Sequence, residues 1–91
     1  MQPYTPVDEH TVSLDGGMGI SEINDELHMR LPDGDYQTVA GFILDSLGRI
    51  PEEGDVVEYE DLLLTVKVMS GVKIEEVELR RIRPEPDGTT Q

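Results

Sequence analysis

The side chains of this 91-residue chain that could do chemistry are mostly carboxylates. Glu52, Glu53 and Asp55, with Asp33 and Asp35 as further candidates, could offer oxygen ligands to Mg2+ or Ca2+. Their spacing lacks the alternating acidic pattern of a calcium loop. The competing reading is a solvated turn next to a helix cap. Gly16-Gly17-Met18-Gly19 ahead of a helix invites comparison with phosphate-cradling loops. It lacks the third glycine of a dinucleotide fingerprint and the lysine of a P-loop. His10 and His28 are the only imidazoles, and neither has a histidine three or four residues away, which argues against zinc. No G-x-S-x-G elbow accompanies the serines, so a nucleophilic triad has no support.

Composition narrows the classes further. Net charge is −13, and it is unevenly placed. Residues 1–66 hold fifteen acids against Arg30 and Arg49, whereas residues 67–91 hold five acids against five bases. Such a field repels nucleic acid and anionic lipid, and it attracts cations or a basic partner surface. Cysteine is absent, which removes disulfides and thiolate metal sites. No apolar run reaches the roughly 18 residues of a membrane helix. A chain this short supports one core.

The elements that must position these residues are legible from period and punctuation. Asp35 to Asp55 reads as a capped helix, a stop and an acidic turn feeding a strand. Asp35 is the expected N-cap, and Gly48 the expected left-handed stop ahead of Pro51. Val39, Ala40, Phe42, Ile43, Leu44 and Leu47 form the apolar stripe between them. Gly41 within that stripe suggests a backbone pressed against a neighbour, expected to be a sheet. Arg49 meets the negative end of the helix and is expected to pair with Glu52 or Glu53. Ser21 is the expected cap of a shorter helix carrying Ile23 and Leu27 inward.

Strands are expected at His10–Leu14, around Val57 and Tyr59, and in two runs joined at Ser70-Gly71. The Glu60-Asp61 turn puts Asp61 where a positive φ would strain it. Ile74 falls out of phase with Val77 and Leu79, so a β-bulge is predicted near Glu75-Glu76. The order gives an α+β two-layer sandwich, with two helices on a mostly antiparallel sheet of about four strands. Residues 1–9 read as linker, 10–83 as the domain and 84–91 as a tail. Leu63 and Met69, opposite the core phase of their strand, are candidates for a docking or dimer surface.

Asp35-Tyr36-Gln37-Thr38-Val39-Ala40-Gly41, Leu47-Gly48-Arg49-Ile50-Pro51 and Glu53-Gly54-Asp55 together resemble the signature of the transporter-associated domain of the CorC/HlyC family. The resemblance runs from about Thr11 to Ile82. It implies a fold similar to a subdomain of FAD-binding proteins of the p-cresol methylhydroxylase type. It also implies a place after paired CBS domains, often with a membrane domain upstream, on the cytoplasmic side of the membrane. The implied role is a non-catalytic module that modulates Mg2+ or Co2+ efflux and contacts its own CBS and membrane domains, a transporter or a second copy. The alternative is a module binding FAD, an adenine nucleotide or a divalent cation. No flavin-attachment histidine or pyrophosphate loop is evident, so FAD rests on fold analogy.

Overall fold

The computed structural model describes residues 3–82. Five strands and two helices follow one another as β1 (Tyr4–Asp8), β2 (Thr11–Asp15), α1 (Ile20–Leu27), α2 (Val39–Leu47), β3 (Val56–Tyr59), β4 (Leu62–Ser70) and β5 (Lys73–Arg81). The strands make one sheet in the order β1-β2-β5-β4-β3, antiparallel at every pairing. Both helices pack on one face of it, which is the expected two-layer α+β architecture. The sheet has one strand more than the sequence suggested.

The extra strand is β1, inside the stretch that reads as linker. Pro3 and Pro6 prompted that reading, yet an edge strand tolerates proline. Asp15 donates its N–H to the Pro3 carbonyl at 2.8 Å, and Pro6 sits opposite Val12. The antiparallel alternation then points the Pro6 nitrogen toward the open edge, where no donor is required.

The core joins the inward faces of both layers. Ile20 and Ile23 come from α1, Val39, Phe42 and Ile43 from α2, and Leu14, Leu64, Val66, Val77 and Leu79 from the sheet. Burying each of the large side chains contributes roughly 1.5–3 kcal/mol. Phe42 also meets Tyr36 and Tyr59 edge-on, at centroid distances of 5.5 and 5.9 Å. Among the described residues no buried side-chain N or O lacks a hydrogen-bond partner.

Helix ends differ from expectation by a few residues each. Thr38, not Asp35, caps α2, its hydroxyl accepting from the Gly41 N–H at 3.1 Å. Residues 35–37 are held out of the helix because Tyr36 folds back and donates to the Pro32 carbonyl at 2.8 Å. Tyr36 also accounts for Gly41: a β-carbon there would stand 2.8 Å from the Tyr36 Cβ, so the close neighbour is the residue-36 segment ahead of the helix and not the sheet. Gly48 closes α2 as expected, at φ 71, with its N–H on the Leu44 carbonyl. Gly19 rather than Ser21 precedes α1, and the Glu22 carboxylate accepts from its N–H at 3.4 Å.

The sheet carries the predicted bulge. Val66 faces Val77 and Met69 faces Ile74, while Lys67 and Glu75 have no partner in the register. The slip lets Ile74, Val77 and Leu79 all reach the core. The β4–β5 turn is Gly71-Val72, one residue later than expected, and Gly71 takes the positive φ of 65. In the β3–β4 turn the positive φ falls on Glu60 (54), not on Asp61.

Candidate functional site

The acidic turn after α2 is a built structure. Once Gly48 stops the helix, Arg49 reaches across the loop and chelates Asp55. Its Nη1 donates to Oδ2 at 2.9 Å and its Nη2 to Oδ1 at 3.1 Å. The same Nη1 donates to the Ile50 carbonyl at 3.2 Å. The Asp55 carboxylate also accepts the Glu52 N–H at 2.7 Å. Gly54 at φ 99 turns the chain so that its N–H meets the Val66 carbonyl, and the Val66 N–H returns to the Asp55 carbonyl. Pro51, within the loop, is buried.

These contacts set the charges. The hydrogen bonds from Arg49, followed by that from the Glu52 backbone, hold the Asp55 carboxyl below the usual carboxylate range. Asp55 in turn raises the Arg49 guanidinium further. Arg49 was expected to pair with Glu52 or Glu53, but Asp55 presents both oxygens to the fork, which is the stronger geometry.

The three candidate metal ligands therefore do not converge. Asp55 is engaged by Arg49, and Glu53 points to β4, where its carboxylate accepts the Met69 N–H at 3.0 Å. Glu52 is exposed. Among the described residues no group of three or more His, Cys, Asp or Glu side chains is placed to hold a metal ion. His10 lies beside Glu9, and His28 terminates α1 in a left-handed conformation at φ 57.

The glycine loop ahead of α1 is also committed to the fold. The Gly16 N–H bonds the Glu75 carbonyl, and the Met18 N–H bonds the Asp15 carbonyl. Gly17 donates to the Asp15 carboxylate and Gly19 to the Glu22 carboxylate. All four N–H groups that a phosphate would need are occupied by the protein.

Leu63 and Met69 do not form one patch. Leu63 pairs with Arg80 on the face of the sheet away from the helices. Met69 pairs with core-facing Ile74 because of the bulge, and it packs against the core. The outer face is otherwise mixed in polarity. Ser13 donates to Glu76 at 2.9 Å, and Lys67 lies 3.5 Å from Glu78.

Two features escaped the sequence reading. One is a 250 Å³ groove between the β1–β2 hairpin and the end of α1, floored by Tyr4, Pro6, Val12, Leu27 and Met29 with Arg81 at its rim. Tyr4, Pro6 and Asp8 of its lining come from β1, a stretch whose prolines read as linker in the sequence. The other is the exposure of Ile50 and Val56, at 58% and 46%, each next in sequence to a member of the Arg49–Asp55 clamp. Ile50 lies outside both the helical and the strand period, so no pattern assigned it a face.

A meander-built sheet covered by two helices, with a clamped acidic turn leading into its edge strand, defines a small α+β module. None of the helices among the described residues is long and apolar enough to cross a membrane. Residues 5–83 match the family model CorC_HlyC, described as the transporter associated domain, and the chain belongs to that family. It is 30% identical to the UPF0053 inner membrane protein YfjD of Escherichia coli over 91% of its own length and 19% of that protein. Its fold superposes on a hemolysin domain from Enterococcus faecalis V583 with a TM-score of 0.84, at 28% identity, over 90% of this chain and 100% of that one. It also matches the CorC_HlyC domain of a Xylella fastidiosa Temecula1 hemolysin in complex with Mg++ and Mn++, with a TM-score of 0.79 at 22% identity, over 90% and 100% of the two chains. The chain spans between 8% and 29% of the length of the curated relatives it matches.

Proposed function

We propose that this domain is a non-catalytic regulatory module of a CBS-domain membrane protein, acting from the cytoplasmic side to modulate transport of divalent cations such as Mg2+ or Co2+. Its work is contact with the rest of that protein or with a transporter. The observation that carries this reading is the match of residues 5–83 to a transporter-associated domain, in a chain that aligns with only 19% of an inner membrane protein. The clamped turn and the outer face of the sheet, mixed in polarity and bearing no helix among the described residues, fit a contact role. The engaged N–H groups of the glycine loop leave no phosphate cradle there. The test is efflux of Mg2+ and Co2+ from cells carrying the intact protein or one lacking residues 5–83. A changed rate with unchanged protein level supports regulation, and an unchanged rate ends it.

The divalent-cation alternative has one observation behind it, the Xylella domain in complex with Mg++ and Mn++. In this chain the carboxylates nearest to such a role would have to release Arg49 and Met69 first. Calorimetry with Mg2+ and Mn2+ separates the two readings: heat at millimolar metal that disappears in Glu53→Gln supports the cation, and no heat removes it.

A further inference from the structure

We propose that β3 is a strand-addition site. Its free edge takes up an extended segment of the same polypeptide, from outside residues 1–91, that sets a lysine or arginine against Glu58. This rests on the reading of the domain as a contact module of a longer protein, and it names the edge used and the chemistry that edge accepts.

β3 ends the sheet, with β4 on one side and no strand on the other among the described residues. The direction of its backbone groups follows from the ladder. Val66 turns its N–H and carbonyl toward the α2–β3 loop, where they meet the Asp55 carbonyl and the Gly54 N–H. Alternation turns Leu64 and Leu62 the same way, so Val57 and Tyr59, their partners in the register, are the β3 residues bonded to β4. Val56 and Glu58 lie in the opposite phase. Each aims an N–H and a carbonyl at the open edge, and nothing among the described residues meets them.

The other stretches of the sheet's margin are blunted. Pro6 lies in the outward phase of β1 and has no N–H to offer. β4 extends beyond its pairing with β3, and there Asp55 and Gly54 cover Val66 while the Glu53 carboxylate accepts the Met69 N–H at 3.0 Å. β3 carries no proline, lysine or bulge, so its two donors and two acceptors remain for a further strand.

Side chains on this edge choose the occupant. Val56 and Glu58 share the sheet face turned away from the helices, Val56 at 46% exposure and Glu58 opposite Leu63. Glu76 and Glu78 on that face have partners, Ser13 at 2.9 Å and Lys67 at 3.5 Å. Glu58 is exposed and forms no ion pair among the described residues. A strand laid along β3 places a residue directly beside Glu58, where an opposite charge stabilises and a like charge destabilises. A second copy would bring acids against acids, in a chain of net charge −13, which opposes self-association. A four-residue edge makes few hydrogen bonds, so the pairing needs a high local concentration. A tethered segment of the same polypeptide supplies roughly millimolar effective concentration. The curated relatives, of which this chain spans between 8% and 29%, have ample length to contain such a segment.

The test is residue-resolved amide hydrogen exchange in the intact protein. The Val56 and Glu58 amides should exchange about tenfold or more slowly than the Tyr4 amide, which faces the open edge of β1. Glu58→Lys should return the Val56 amide toward the Tyr4 rate, while the Leu64 amide, on the β4 side of β3, stays protected and shows that β3 is still in place. Glu58→Gln should move Val56 in the same direction by less. A diazirine-bearing leucine at Val56 should cross-link to the same polypeptide outside residues 1–91, beside a lysine or arginine. Val56 and Glu58 amides as fast as Tyr4, or a Val56 rate unchanged by both Glu58 variants, overturn the proposal. Adducts with lipid, with a second copy or confined to residues 1–91 overturn it too. Unprotected Val56 and Glu58 amides, with cation efflux altered on removal of residues 5–83, remove strand addition and leave regulation standing. Protected amides with unaltered efflux do the reverse.

Discussion

The carbonyl oxygen of Ile74 occupies the space that a β-carbon on Gly16 would need. Two features meet at that point. The bulge leaves Glu75 outside the β4 register, and its carbonyl is taken up by the Gly16 N–H at 3.0 Å. The Gly16 carbonyl in turn accepts the Ala40 N–H at 3.1 Å, at the start of α2. Gly16 therefore links the sheet's irregularity to the helix that covers it.

Gly16→Ala should accordingly be among the most damaging small substitutions. The obstructing atom is backbone, which cannot swing aside, so the cost belongs at or above the upper end of the roughly 1–3 kcal/mol typical of overpacking. Urea unfolding of the parent and the variant measures it. A variant within about 0.5 kcal/mol of the parent, the usual scatter of a surface substitution, would show that the bulge relaxes easily.

The cap of α2 gives a paired comparison. Thr38→Ala removes the oxygen that receives the Gly41 N–H and should cost about 1 kcal/mol. Asp35→Ala should cost less, because Asp35 lies outside the helix and is exposed. Thermal melts of the two variants at one pH rank them. A larger loss for Asp35→Ala would restore the reading that the sequence alone favoured.

Asn24 holds the connection between the helices in place of a strand partner. Its amide donates to the Leu31 carbonyl at 3.0 Å and its oxygen accepts the Leu31 N–H at 2.9 Å. Asn24→Ala leaves both backbone groups unpaired next to a buried Leu31, for a loss of about 1–3 kcal/mol. Hydrogen exchange at the Leu31 amide reports it locally. Unchanged protection at Leu31 in the variant would mean that the loop is held by something else.

Asp55 makes the domain acid-sensitive in a defined direction. Its folded-state pKa is depressed, so it binds fewer protons folded than unfolded between that value and the ordinary carboxylate value of about 3.9. Its contribution is complete above the ordinary value and is lost as pH falls through the depressed one. Asp8 behaves alike, with the His10 N–H as the main cause and the Thr11 hydroxyl next. Asp55→Asn should thus melt lower than the parent at pH 7, and the gap should close as pH falls below about 4. Scanning melts from pH 7 to pH 2.5 shows this, and a gap that stays constant would remove the clamp as its source.

How much could be read in advance follows from what each residue answers to. The α2 stripe, its Gly48 stop and the bulge were legible because period and punctuation are local properties of the chain. The Asp35 cap was misplaced because Tyr36 folds back on Pro32, a choice made by the ring's packing on Phe42. β1 was missed because proline reads the same in a linker and on a sheet edge. Met69 was put on the wrong face because the bulge reverses the alternation beyond Val66. The metal reading of Glu52, Glu53 and Asp55 counted carboxylates without their partners, and Arg49 and the Met69 N–H engage two of the three.

The regulatory reading is tested most directly by cation flux through the purified full protein in lipid vesicles, with and without residues 5–83. It requires that both forms carry the same cations and that the rate or its cation dependence shifts when the domain is removed. Identical flux curves for two equally well-inserted forms would contradict it.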